Sequence, residues 1–143
     1  MSATYPRGTP EEFQKGSIPG VRAGEDLSDY QGYAVYIHTD ELVYLFDASG
    51  DADEFFILTN APREGEGCDL SCFGRVDGIC DGGDTAIATG DFVIPDSADG
   101  KLVKAVAGET AFTAHLMALD ASDGDSQRTP LVWREKFFEA EQV

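Results

Sequence analysis

Short apolar runs closed by glycine and aspartate clusters recur along most of this chain. Ala34–His38 (AVYIH) and Leu42–Phe46 (LVYLF) flank Thr39-Asp40-Glu41, the pattern of a β-hairpin. Phe55–Thr59 (FFILT) follows an acidic turn, and Cys72–Ile79 alternates in the manner of a half-buried strand. From Asp81 to Trp133 the runs TAIA, FVI, KLVKAV, AFTAHLMAL and TPLVW are separated by Thr89-Gly90-Asp91, Pro95–Gly100, Ala107-Gly108-Glu109 and Asp123-Gly124-Asp125. Glycine reaches positive φ without steric cost and aspartate hydrogen-bonds its own backbone, so these clusters reverse the chain. The pattern predicts about eight or nine short sequential strands. The expected fold is therefore mainly β: an antiparallel β-sandwich or small β-barrel with little helix.

The two ends read differently. Residues 1–31 hold Pro6, Pro10 and Pro19 with little periodic apolarity, which predicts an extended N-terminal arm. Thr9-Pro10-Glu11-Glu12 has the chemistry of one helical turn, ended by Gly16, and Phe13 and Ile18 are the expected anchors. A single β-rich domain is expected over 32–143. Within it Asn60–Gly67 reads as a polar connection, and Arg134–Val143 fits a short helix or an extended tail equally well.

Charge sharpens this division. The chain carries 10 basic and 27 acidic side chains, a formal net charge of -17. Residues 1–23 hold Arg7, Lys15 and Arg22 against Glu11 and Glu12, a net of +1; the remainder holds seven basic and 25 acidic groups, a net of -18. Such a body repels phosphate backbones and anionic bilayers, which argues against nucleic acid and membrane as partners. The first residues lack a hydrophobic signal region, and Leu42–Phe46 is too short to cross a bilayer, so synthesis in a cytoplasm is expected.

Three sets of residues are candidates for chemistry. Cys68, Cys72 and Cys80 have three and seven residues between them, a spacing that matches no zinc finger or ribbon. Free thiols, a disulfide and a metal site with an outside ligand are the readings open to them, the first being the ordinary one inside a cell. Asp47, Asp51, Asp53 and Glu54, and Asp96 with Asp99, offer oxygens of the kind calcium takes, without the spacing of a helix–loop–helix calcium loop. His38 and His115 fall in expected strands with no nucleophile elbow or phosphate loop beside them. No cofactor motif is present, and no enzyme activity is expected.

One resemblance adds to this. The order Ala86–Val93 (AIATGDFV), Asp99–Ala105 (DGKLVKA) and His115–Gly124 (HLMALDASDG), closing on Thr129–Trp133 (TPLVW), resembles small capsid decoration proteins of tailed phages. In those, a GD-x-V strand leads to a DGK-x-V-x-A hairpin, then to a strand and an acidic turn. This chain departs at His115, where the family carries glycine, and the match covers about residues 85–133. The resemblance implies a non-enzymatic cement protein on the outside of an icosahedral head. Its partners would be the major capsid protein and itself, as a homotrimer. Arg7, Phe13, Lys15, Ile18 and Arg22 are the expected capsid-contact residues of the arm. The rival expectations are a calcium-stabilised β-sandwich of a tail fibre or cell surface, and a small metal- or thiol-dependent enzyme.

Overall fold

In a computed structural model, residues 17–141 are described, with side chains from residue 20 onward. They form ten strands and no helix: β1 (Ser17–Ala23), β2 (Ala34–Ile37), β3 (Leu42–Leu45), β4 (Phe56–Leu58) and β5 (Gly67–Ser71), then β6 (Arg75–Cys80), β7 (Phe92–Pro95), β8 (Leu102–Lys104), β9 (Phe112–Ala118) and β10 (Gln127–Phe138). Each half of the list closes on itself. The first barrel runs β1-β3-β2-β4-β5 and the second β10-β6-β8-β7-β9. Neighbours pair antiparallel except β1 with β3 and β6 with β8. The β-rich expectation holds, in the form of two small barrels.

Strand alternation explains how the barrels share a core. On β2, Val35 points into the first barrel with Val43, Leu58 and Leu70, whereas Ala34 and Tyr36 face the other way. There they meet Leu102, Leu116 and Leu131 of the second barrel in one apolar cluster that also holds Phe46, Phe55 and Ile57. Neighbouring Ile57 and Leu58 divide in the same manner. Each fully buried leucine contributes about 1.5–3 kcal/mol of transfer free energy, so this shared cluster binds the barrels to one another. Gly78 on β6 leaves room for the leucines of its own barrel: a Cβ there would stand 2.7 Å from Leu131 and 2.8 Å from Leu102.

Several expectations are corrected. Residues 17–31, expected in the arm, belong to the first barrel. Ser17 to Arg22 pair with Ser71 to Gly67, and Leu27 is fully buried and donates its N–H to Pro62 at 2.9 Å. Pro19-Gly20 looks like a strand breaker, but it is absorbed by an irregularity between Ile18 and Val21, with Gly20 at φ 85°. The expected helical turn at 9–16 and the rest of the arm lie outside the described residues. Arg134–Phe138 is neither helix nor tail: it continues β10 beyond a register shift, with Phe137 opposite Thr113. Pairing with β9 there overrides the helix propensity of the sequence. Gly67, read as the last residue of a connection, opens a strand, Gly67–Ser71, that lies between β4 and β1. The TAIA run supplies only one bridge, Ile87 to Ser122.

Candidate functional site

A cleft of about 860 Å³ lies between the barrels. The first barrel contributes Ile37 from β2, Asp53 to Phe56 from the approach to β4, and Cys72 from the end of β5. The second contributes His115 from β9 and Trp133 to Glu135 from β10. His115 is outward on β9 because Ala114 and Leu116 face the core, so strand alternation delivers it to the cleft.

Contacts across the cleft are specific. His115 Nε2 lies 2.9 Å from Asp53 Oδ1, and its Nδ1 lies 3.5 Å from Glu135 Oε1. Phe55 packs against Trp133 with ring centroids 5.4 Å apart and against His115 at 6.5 Å. Trp133 Nε1 donates to Ser71 Oγ at 3.0 Å. Ser71 also lines a smaller cleft of about 340 Å³ with Arg75, Asp77 and Arg128, so this bond stands between the two hollows. The larger cleft thus has an aromatic floor, Phe55 and Trp133, and a rim carrying Asp53, Glu54 and Glu135 with Arg134. An apolar floor under carboxylates suits a cation on an apolar stem.

The candidate residues separate in space. Cys68 and Cys80 are free and buried, in the first barrel and the shared core respectively. Burial pushes both thiols up to about 11. Cys72, on the cleft wall, is also raised by burial. Thiols shifted that way are poor nucleophiles at neutral pH. Most of the acidic-turn carboxylates hold their own loops: Asp47 accepts from Ser49 N–H, Asp51 from Asp53, Asp96 from Ala98 and Asp99 from Lys101. Among the described residues, no group of three or more His, Cys, Asp and Glu side chains is arranged to hold a metal ion. His38 follows β2, exposed, and stacks edge-on with Tyr36 and Tyr44, far along an aromatic row from His115.

Of the expected arm contacts, Arg22 lies in β1, where its Nη1 donates to the Gly65 carbonyl at 2.9 Å. Ile18 pairs through its backbone with Leu70. Arg7, Phe13 and Lys15 lie outside the described residues. The cleft itself was missed as a unit. Its members were visible singly as a turn acid, a strand histidine and a terminal tryptophan, but His115 and Asp53 are 62 positions apart, as are Trp133 and Ser71. Only the departure at His115 from the decoration-protein pattern marked the position.

The turn motifs that carry the resemblance do have a local physical account. Gly90 sits at φ 92° and donates to Ala118, while Asp91 Oδ2 accepts from Ala88 N–H at 2.8 Å and meets Lys104 Nζ at 3.3 Å. Gly100 sits at φ 75° in the DGK turn, and Lys101 Nζ reaches Asp125 at 2.8 Å. The DGK hairpin is therefore tied to the acidic turn that precedes β10. Compared with known protein families, curated proteins and solved structures, the chain matches none.

Proposed function

We propose that this chain is a non-enzymatic structural protein of a virion, a decoration or cement protein on the outer face of an icosahedral head. There it bridges neighbouring major capsid subunits, as a homotrimer. The observation that carries the reading is the motif order over residues 85–133, together with its coincidence with one folded unit. That stretch spans β7, β8 and β9 and enters β10, which are four of the five strands of the second barrel. Its GD, DGK and DGD elements are joined through Asp91 to Lys104 and Lys101 to Asp125.

Two physical properties support the reading. Both sheets close, which removes the free edges through which crowded β-proteins pair with one another. A net charge of -17 keeps such a body soluble at high copy number. Repetition over a shell converts weak single contacts into firm attachment.

The experiment is quantitative mass spectrometry of washed particles from cells that make this protein. A fixed ratio to the major capsid protein is expected. Loss of the chain from the particle fraction, with the capsid protein retained, would sink the reading.

A further inference from the structure

Most cations of the second barrel have a partner. Lys101 meets Asp99 and Asp125, Lys104 meets Asp91, and Lys136 stands over the rings of Phe92 and Phe138. Arg75 and Arg128 differ. Among the described residues neither meets a carboxylate within salt-bridge distance, although the chain has 27 acidic side chains. Both line one hollow of about 340 Å³ between the barrels, a volume in the range of small-ligand sites. Two guanidinium groups on one hollow repel each other, and an anion placed there relieves the repulsion.

The wall opposite them is fixed. Gly32 donates its N–H to the Leu58 carbonyl at 2.7 Å, and its own carbonyl accepts from Ile79 N–H of β6 at 2.8 Å. Leu58 is fully buried and Ser71 is 2% exposed; Ser71 Oγ accepts from Trp133 Nε1, and a hydroxyl that accepts still has a hydrogen to give. Strand register spaces the cations. Arg75 stands opposite Val132 and Arg128 opposite Ile79, four ladder steps or about 13 Å apart along the strands. Asp77, on the same outer face of β6 as Arg75 and opposite Pro130, lies between them. Each guanidinium fork takes a carboxylate in two parallel bonds. Asp77 between the forks disfavours an anion charged along its whole length. A ligand with anionic ends and an uncharged middle suits this order better than compact phosphate does.

We propose that this hollow binds a short linear dicarboxylate, one carboxylate held by Arg75, the other by Arg128, and the uncharged middle between them. The proposal concerns this chain alone and does not rest on the virion reading.

The Trp133–Ser71 bond supplies the readout, because Trp133 is the one tryptophan of the sequence and Ser71 lines the hollow. The test is a proton–nitrogen NMR titration of the purified full-length chain with glutarate at constant ionic strength. It follows the Trp133 indole N–H and the arginine Nε–H resonances. Saturable shifts are expected in both. Arg75→Gln and Arg128→Gln should each weaken binding about tenfold. Arg134→Gln, in the other cleft, should leave it unchanged. Asp77→Asn should tighten it several-fold by removing a like charge. Acetate and inorganic phosphate should each bind at least about tenfold more weakly than glutarate. Arg75, Asp77 and Arg128 are exposed, so far-UV circular dichroism of the variants should match wild type. Absence of a saturable shift with glutarate would overturn the proposal, as would phosphate binding as tightly as glutarate. Weaker binding in Asp77→Asn, or wild-type affinity in a folded Arg75→Gln/Arg128→Gln protein, would overturn it too.

Discussion

Trp133 Nε1 donates to Ser71 Oγ at 3.0 Å, joining the last strand of one barrel to the end of a strand in the other. Both groups are partly or fully buried, and the indole also rests on Phe55. Ser71→Ala leaves the part-buried indole N–H without its protein acceptor. A loss of about 1–2 kcal/mol follows from stranding such a donor. Urea denaturation followed by far-UV circular dichroism checks it; an unchanged midpoint would remove this bond from the contact between barrels.

Leu131 is fully buried in the cluster that contains Ala34, Phe55 and Ile57 from the opposite barrel. Leu131→Ala is expected to cost about 2–5 kcal/mol, the range for truncating a packed core leucine. Because the cluster is shared, circular dichroism and Trp133 fluorescence should report one coincident transition in wild type and variant alike. Two separated transitions would contradict the shared core.

The Asp91 carboxylate is held below its ordinary value, chiefly by the Ala88 N–H, with burial opposing it and Lys104 adding to the lowering. A carboxyl depressed in the folded state adds stability that is complete above its unfolded value and lost as pH falls through the folded one. Wild type should therefore exceed Asp91→Asn in urea midpoint at pH 7, with the gap closing as pH falls below the ordinary 3.8. A gap of equal size at pH 7 and pH 2.5 would show that the loss is steric. The site is partly open to solvent, so the effect should also shrink in molar salt.

The strands that declared themselves in the sequence are those whose signal is local. AVYI and LVYL alternate cleanly around a turn, and they pair as β2 and β3 with Tyr36 opposite Tyr44. The strands that did not are set by partners far away. Gly67–Ser71 carries Asp69 and reads as polar, yet β1 and β4 on either side complete its ladders. Arg134–Phe138 has helix-forming residues and becomes strand because β9 offers an edge. Ring closure depends on parallel contacts such as Arg22 with Leu42, and pairing of that kind leaves no mark in hydrophobic periodicity. The cleft follows the same rule: alternation placed His115 on a face, but which acids meet it is decided by how two barrels pack.

Cryo-EM of particles from cells that make this protein tests the central claim most directly. Density is expected on the outer surface at threefold positions, each copy resolved as two adjoining five-stranded barrels, in contact with the major capsid protein. A well-resolved outer surface without such density, from particles made where the chain is expressed, would contradict it.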